Sequence, residues 1–401
     1  MATVKPQTLK GFRDFLPQEA RKRQYVIDIL KKVFESYGFE PLETPALEYE
    51  EILIGKYGEE GDKLMYRFVD RGNRKVALRY DQTVPLARVV AQYQNELPMP
   101  FKRYQIQNVW RADNTQKGRY REFLQCDADT VGSSSPLADV EIITLAKKSL
   151  EKLGFRDFTT LTNSRKILEK SGASLNFIKI LDKQYKISKD EFLKLLSFAK
   201  EKDNEAYEYL EKSKPEDDSN LKEIFKNKNL NIFYMPTLAR GLDYYTGLIF
   251  EVKIPKYKGG SVCGGGRYDK LIGMFSNKQI PAVGFSFGFD RLMEAMDELN
   301  LFPQDTLSST TKILVTVFNN DLLEKSLSYS LSLRSSGVST ELYLDENASL
   351  EKQLKYADKK GIPYAIIIGP DEASKNMVTL RNMKARQQEI LTQKDLVSKL
   401  V

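Results

Sequence analysis

A change of pattern along the chain constrains the fold most strongly. Between about Arg165 and Asn231, Lys, Glu, Asn and Leu dominate and glycine almost disappears, which indicates a small all-helical insertion. The flanking segments carry more glycine and alternate polar with apolar residues, a pattern typical of strands. Because 401 residues exceed what one ordinary core accommodates, the sequence predicts two or three domains.

The N-terminal part shows clear helix and strand patterns. Val26, Leu30 and Val33 recur at helical spacing, so residues 18–37 are predicted to form a helix that Gly38 ends. Three further elements are predicted: an extended strand over residues 39–48 that ends near Pro45, strands within 74–131 with a helix near 85–94, and a helix over about 136–153.

The C-terminal part alternates regularly after a Ser/Thr-rich linker at residues 306–311, which marks a domain boundary. The predicted order is strand 313–318, helix 322–335, strand 338–344, helix 350–360, strand 365–368 and a short strand at 378–380. This order predicts a small parallel or mixed sheet that helices cover.

The complete absence of histidine restricts the chemistry. No histidine nucleophile, general base or metal ligand is available, so catalysis would depend on cations, carboxylates, backbone donors or a bound metal. Cys126 and Cys263 lie far apart without metal-ligand spacing and are predicted to be free thiols. The net charge of +7 fits a polyanionic partner and equally fits solvated helix surfaces.

The N-terminus carries no apolar stretch of the signal-peptide type, and no run of apolar residues is long enough for a membrane helix. We therefore expect a cytoplasmic protein without membrane association.

Two predicted strands form a hairpin with one polar face. By parity, Arg103, Gln105 and Gln107 share a face in the first strand, as do Gln125 and Asp127 in the second. The first set continues to Arg111, and the second also includes Arg121, Phe123 and Asp129. This face suits a charged planar ligand, and a solvent-facing sheet with mixed charges remains the alternative. By the same parity Arg79, Asp81 and Thr83 share a face, and Asp81 could receive a substrate ammonium.

Other segments are ambiguous on their own. The glycine-rich run at residues 259–266 allows close backbone approach but is neither a P-loop nor a dinucleotide fingerprint. Arg240 could form a structural ion pair, and Arg291 could be a charge on a helix surface.

Taken together, these segments resemble one family in order and spacing. Residues 38–45 are similar to motif 1 of class II aminoacyl-tRNA synthetases, residues 111–123 with Gly118-Arg119-Tyr120-Arg121-Glu122-Phe123 to motif 2, and residues 284–292 to motif 3. Segments 238–247 and 264–269 resemble the two signature peptides of histidyl-tRNA synthetases, and segment 78–85 fits the eukaryotic-type members. Segment 357–369 resembles the family's anticodon-binding domain, and the resemblance covers roughly residues 8–401.

The resemblance implies an α+β fold with an antiparallel-sheet catalytic core. Its parts would be the core at 1–160 and 233–305, a helical insertion at 161–232 and a C-terminal α/β anticodon-binding domain at 306–401. The implied function is ligation of histidine to tRNA(His), with ATP and Mg²⁺, in a homodimer.

The resemblance also implies the residue roles. Asp81, Thr83 and Gln125 would hold the ammonium of histidine, and Asp129, Tyr244, Tyr245 and Tyr268 would line the imidazole pocket. Phe123 and Arg291 would enclose the adenine of ATP, with Arg119 also at the ATP site. Arg111 and Arg240 would be catalytic, and both would also contact the histidine carboxylate. No metal ligand from side chains is predicted.

For tRNA, the resemblance implies contacts from Gln116 and Lys117 in the motif 2 loop. Asn114 stands where some bacterial members carry an arginine for the extra 5′ nucleotide of histidine tRNA, so recognition of that nucleotide is not implied. The alternative function is a non-catalytic paralogue, such as the regulatory subunit of ATP phosphoribosyltransferase, which lacks the anticodon-binding domain.

Overall fold

A computed structural model describes residues 4–56, 58–115, 118–184, 187–241 and 244–400. The chain forms two compact units, one comprising the residues up to Asp14 together with Arg23–Leu301, the other Phe15–Lys22 and Phe302–Val401. Helix α1 covers Pro17–Ser36, close to the predicted 18–37, and buries Val26, Leu30, Val33 and Phe34 as its spacing requires.

The first unit contains eleven of the strands seen in the described residues. They are β1 (Glu40–Pro41), β2 (Leu47–Tyr49), β3 (Arg67–Val69), β4 (Lys75–Leu78), β5 (Phe101–Trp110), β6 (Glu122–Val131), β7 (Thr159–Ser164), β8 (Ile232–Tyr234), β9 (Leu248–Lys253), β10 (Cys263–Arg267) and β11 (Ala282–Gly288). Eight of them form one sheet in the order β1-β5-β6-β11-β10-β9-β7-β8, and β2-β4-β3 form a smaller sheet. Every pair of neighbours in the run β5-β6-β11-β10-β9-β7 is antiparallel, which confirms the predicted α+β class.

The helices that follow α1 in the first unit are α2 (Glu50–Leu53), α3 (Gly58–Lys63), α4 (Thr83–Gln92), α5 (Pro136–Lys152), α6 (Arg165–Lys170), α7 (Leu175–Asp182), α8 (Lys189–Lys212), α9 (Ser219–Lys226) and α10 (Phe289–Glu298). Helices α6 to α9 occupy the glycine-poor segment. Side chains of Ser164, Ser174, Ser188 and Asp218 accept hydrogen bonds from backbone N–H groups at their N-termini. The glycine-poor composition and the capping side chains therefore both fit a helical segment.

The strand predicted over residues 39–48 is wrong in its extent. Only Glu40–Pro41 pair with β5, in parallel register. Pro41 and Pro45 cannot donate to a ladder, so the chain between them keeps single contacts, including Leu42 N–H to Tyr104 O at 2.9 Å. A new strand, β2, starts only at Leu47.

The second unit is built on a five-stranded mixed sheet in the order β13-β12-β14-β15-β16. Its elements are α11 (Gln304–Leu307), β12 (Ile313–Val315), α12 (Leu323–Ser335), β13 (Thr340–Leu342), α13 (Leu350–Lys360), β14 (Tyr364–Ile367), α14 (Pro370–Ser374), β15 (Met377–Asn382), β16 (Gln388–Thr392) and α15 (Gln393–Leu400). Strand β12 pairs in parallel with β13 and β14, and β14, β15 and β16 pair antiparallel. The predicted alternation is confirmed, but α11, α14, β16 and α15 were not predicted. Strand β16 is a mostly exposed edge strand without apolar alternation, so its sequence carries no strand pattern.

Among the described residues, no helix combines the length and the apolar character that a membrane crossing requires.

Candidate active site

One face of the eight-stranded sheet carries the polar hairpin residues. Arg103 lies opposite Asp129 across β5 and β6, Gln105 opposite Asp127, and Gln107 opposite Gln125. Arg103 and Gln105 are completely buried, and Asp127 and Asp129 are only 2% and 3% exposed. The parity prediction is correct, and burial excludes the alternative of a solvent-facing sheet.

Glycines of β10 and β11 make room for side chains over this face. A Cβ atom on Gly284 would lie 1.8 Å from the carboxylate of Asp129, and one on Gly264 would lie 2.1 Å from Nη1 of Arg240. Both glycines lie in central strands, where any larger residue would displace the charged group beside it. The glycines therefore let a carboxylate and a cation lie flat against the sheet.

A buried ion cluster lies at one end of the face. Nη2 of Arg103 lies 2.8 Å from Oδ2 of Asp129 and 4.0 Å from Oδ2 of Asp127. The hydroxyl of Tyr268 donates a hydrogen bond to Oδ1 of Asp129 at 2.5 Å. Asp129 is therefore held from two sides, and its carboxylate plane is fixed before any ligand arrives.

Burial controls the protonation of this cluster. It raises the pKa of Asp127 to about 7, against the lowering effect of the Arg103 charge. Burial also raises the pKa of Asp129, and Arg103 and Tyr268 oppose that rise. The pKa of Tyr268 lies well above its usual range because of burial and the neighbouring Asp129, so the phenol keeps the proton that it donates.

Among the residues that the structure describes, two buried oxygens of this face have neither a hydrogen bond nor an ion pair, whereas Oδ2 of Asp129 pairs with Arg103. They are Oδ1 of Asp127 and Oε1 of Gln125. Buried polar atoms normally have partners, so these two suit a polar ligand over the face.

Three tyrosines border the ion cluster. The ring of Tyr244 lies 5.0 Å from that of Tyr245 and 5.9 Å from that of Tyr268, measured between centroids. Tyr244 also forms a hydrogen bond with Thr83, and Tyr245 forms one with Arg240. These contacts join the predicted ring-binding residues to the predicted ammonium-binding residues.

The strand parity proposed for Arg79, Asp81 and Thr83 is wrong. Strand β4 ends at Leu78 and α4 begins at Thr83, so Asp81 lies in the turn between them. Its Oδ1 accepts backbone N–H groups of Thr83 and Val84 at 3.1 Å each. Arg79 points away and donates to the carbonyl oxygens of Thr44 at 2.6 Å and Asn108 at 2.8 Å. The turn, not a strand, brings Asp81 to the site.

Arg240 is bound from several sides. Its Nη1 donates to Oε1 of Glu251 at 2.8 Å, and Ser261 donates to the other oxygen of that carboxylate. Burial works against the charge of Arg240, but Tyr245, Glu251 and Asp182 together raise its pKa above the usual arginine value. Arg240 therefore does form an ion pair, and the pair holds a permanently charged guanidinium at the sheet face.

Arg111 directly follows β5, at the end of the hairpin away from the ion cluster. Its Nε donates to the carbonyl oxygen of Tyr80 at 3.0 Å. Its guanidinium carbon lies 4.3 Å from the ring centroid of Tyr80 and 5.1 Å from that of Phe123. The remaining guanidinium nitrogens can bind an anion beside Phe123.

Arg119, four residues before Phe123, and Arg291, in the first turn of α10, are held more loosely. Arg119 forms two hydrogen bonds with Asp113, at 2.9 and 3.1 Å, while its side chain stays 47% exposed. Nη1 of Arg291 donates to the carbonyl oxygen of Ser261 at 3.3 Å. A Cβ on Gly118 would lie 3.6 Å from Cγ of Arg291, so the motif 2 loop approaches the start of α10. Gln116 and Lys117, predicted to contact tRNA, lie outside the described residues.

Sequence reasoning overlooked the partners of the predicted residues. Arg103 and Asp127 were placed on the correct face without a role, and Asp113 was not considered. Glu251 was also missed, although a buried acidic residue that follows three apolar residues in β9 is a usable signal. Each of these residues acts through another side chain, which local sequence does not indicate.

The described residues include no group of three or more Cys, Asp or Glu side chains with the geometry of a metal site. Both oxygens of Glu251 are engaged by Arg240 and Ser261. The described side chains therefore do not provide a ready-made metal site.

Comparison with known sequences places both units in context. The profile of the family described as histidyl-tRNA synthetase matches residues 11–214 and 180–292, and a profile described as an anticodon binding domain matches residues 312–401. The histidine--tRNA ligase of Cytophaga hutchinsonii is 40% identical, and the alignment covers 99% of this chain and all of that protein. That of Gloeobacter violaceus is also 40% identical, with 95% of each chain covered.

The fold is likewise similar to a solved structure. The crystal structure of histidyl-tRNA synthetase from Nostoc sp. superimposes with a TM-score of 0.82 at 29% identity, and 99% of each chain is covered.

Proposed function

This chain belongs to the histidyl-tRNA synthetase family and is a histidine--tRNA ligase, and we propose that Arg111 and Arg240 carry its activation step. In that step an oxygen of the histidine carboxylate attacks the α-phosphorus of ATP. The bond from that phosphorus to the bridging oxygen breaks, and pyrophosphate leaves. A hydroxyl of the terminal tRNA ribose then attacks the carbonyl carbon, and AMP leaves.

The observation that carries this proposal is the charged state and fixed position of Arg240. The reaction needs no general base because the nucleophile is already an anion, so the main requirement is to neutralise charge at the phosphorus. Arg240 is held by Glu251 and its pKa is raised, so its cation is present before substrates bind. Arg111, anchored on the Tyr80 carbonyl, supplies the second cation.

The histidine site follows from the buried cluster. Asp81, Thr83 and Gln125 hold the ammonium, and Asp129 with Tyr244, Tyr245 and Tyr268 lines the ring pocket. Because Tyr268 donates its proton to Asp129, its oxygen can accept an N–H from the imidazole. A site that pairs ring nitrogens in this way should reject amino acids whose side chains lack them.

ATP binds at the other end of the same face. Phe123 and Arg291 enclose the adenine, and Arg119 binds phosphate oxygens. Mg²⁺ enters with ATP as part of the substrate.

The tRNA contacts belong to three parts of the chain. Helices α6 to α9 contact the acceptor stem. The second unit, which matches an anticodon binding domain, reads the anticodon. Gln116 and Lys117 contact the acceptor end. The basic residues of these parts bind phosphates. The domain boundaries are those given above: 1–160, 161–232, 233–305 and 306–401.

The protein is a cytoplasmic homodimer. The small sheet supports dimerisation because its edge strands expose Leu47, Tyr49, Phe68 and Val69 to between 43% and 57%. Sedimentation should therefore show a dimer, and Phe68→Asp should shift it toward the monomer. A monomeric wild-type protein would reject this part of the proposal.

The deciding experiment is amino-acid-dependent ATP–pyrophosphate exchange across all twenty amino acids with magnesium. We expect exchange with histidine alone. If folded protein shows no exchange with any amino acid, a regulatory paralogue would be favoured. The similar sequences do not support that alternative better than the ligase.

A further inference from the structure

The residues 9–13, here called the N-terminal brace, lie against the motif 2 segment. The carbonyl oxygen of Gly11 accepts the backbone N–H of Arg121 at 2.9 Å. Gly11 has φ +88°, and a Cβ there would lie 2.7 Å from Cγ of Arg121. Only glycine fits this conformation and this distance without strain. The brace thus fixes the backbone two residues before Phe123.

Arg13 joins this segment to the start of α10. Its guanidinium carbon lies 3.2 Å from the ring centroid of Tyr120, and its Nη2 lies 2.8 Å from Oδ2 of Asp290. Asp290 is 8% exposed and the Arg13 side chain 28%, so both contacts are largely shielded from solvent. Shielding strengthens the stacking contact and the ion pair relative to exposed ones.

The two partners of Arg13 are close in sequence to the proposed adenine walls. Tyr120 precedes Phe123 by three residues, and Asp290 directly precedes Arg291. Phe123 lies at the start of β6 and Arg291 in the first turn of α10, so the two residues belong to separate elements. One side chain therefore connects the two segments whose separation decides whether a purine ring fits between them.

We propose that Arg13 is a positioning residue for ATP that sets the separation of Phe123 and Arg291 without touching the nucleotide. The proposal depends on the adenine site proposed above. Loss of Arg13 frees the motif 2 segment from α10, and a larger share of ATP binding energy is then used to bring the walls together. The histidine pocket, built on Asp129 and the tyrosines, does not depend on this link.

Arg23 offers a matched control because it also binds Asp290. Its Nη1 donates to Oδ1 at 3.0 Å, but its guanidinium stacks on Phe289, 4.7 Å from the ring centroid. Arg23→Ala therefore removes an ion pair to the same carboxylate and leaves the contact between Arg13 and motif 2 in place.

The test measures KM for ATP, KM for histidine and kcat in pyrophosphate exchange with the full-length protein. Arg13→Ala should raise KM for ATP about ten-fold, the size expected for loss of a shielded cation–π contact and an ion pair, with KM for histidine nearly unchanged. Tyr120→Leu should give a similar rise, and the double variant little more, because both changes break the same link. Tyr120→Phe keeps the ring and should keep the wild-type KM.

Two outcomes would overturn the proposal. One is an unchanged KM for ATP in Arg13→Ala, including the case in which only kcat falls because a smaller fraction of the variant is folded. The other is a rise in KM for ATP in Arg23→Ala as large as that in Arg13→Ala. If Arg13→Ala does not fold, Tyr120→Leu against Tyr120→Phe decides the question. A wild-type protein without histidine-dependent exchange would instead reject the proposed function, so the two failures are distinguishable.

Discussion

The two ends of the sheet face differ in how their charges are held. At the histidine end Arg103 is completely buried and binds Asp129, Gln105 and the carbonyl oxygen of Gln82. At the ATP end Arg119 is half exposed and binds one carboxylate, that of Asp113. The comparison indicates that the charges at the proposed histidine end are fixed by mutual pairing in the folded chain, whereas Arg119 at the proposed ATP end is exposed enough to adjust to phosphates.

Arg103→Leu should show the largest effect of this difference. The change leaves the buried carboxylates of Asp129 and Asp127 without their counter-charge, and we expect a loss of about 3–5 kcal/mol in the free energy of unfolding. Urea denaturation of the variant and the wild type measures it. Arg119→Ala, at the exposed pair, should lose less than about 1 kcal/mol. Equal losses in the two variants would contradict the contrast between the ends.

Arg240→Ala tests the cation between the two ends. We expect the histidine activation rate to fall about 10²–10³-fold, as for loss of one donor that stabilises a transition-state anion. Arg240→Lys keeps the charge but not the two-pronged geometry and should recover part of the rate. Single-turnover formation of pyrophosphate measures both, and an unchanged rate in Arg240→Ala would remove this residue from the mechanism.

The pH dependence of stability in Asp127→Asn tests the buried charge at the proposed histidine end. The pKa of Asp127 is about 7 in the folded protein because of burial, whereas an unfolded chain titrates near 4. The folded state therefore binds more protons between these values, and its stability falls as the pH rises through that window.

Asparagine resembles the protonated form at every pH. The melting temperature of Asp127→Asn relative to wild type should thus increase by a few degrees, roughly 2–4 °C, between pH 5 and pH 8. Asp70→Asn is the control, since the hydrogen bond from Arg74 lowers the pKa of that exposed carboxyl, and it should show no such gain. A constant difference across pH would show that Asp127 does not titrate in this window.

Asp113→Asn should have the smallest effect. It weakens the support of Arg119 while leaving the arginine able to reach a phosphate, so KM for ATP should rise only a few-fold, about 1 kcal/mol or less. Pyrophosphate exchange at varied ATP measures it. A rise as large as that of Arg13→Ala would mean that the ATP end is as rigidly preset as the histidine end.

Much of this could be predicted from the sequence because it depends on local periodicity. The helix at Pro17–Ser36 and the polar face of β5 and β6 follow from spacing of 3.6 or 2 residues. The strand predicted over 39–48 failed because the prolines at 41 and 45 remove donors that periodicity does not count. The strand parity predicted for Asp81 failed because that residue lies in the turn between β4 and α4.

The sequence by itself determined which residues carry charge on the sheet face, because alternation along a strand is a local property. Only the tertiary structure decided which charges are neutralised and held. Glu251 meets Arg240 from β9, Asp290 meets Arg13 from a distant helix, and Gly284 makes space for Asp129. Those pairings depend on the order of strands in the sheet, and burial then fixes their protonation and strength.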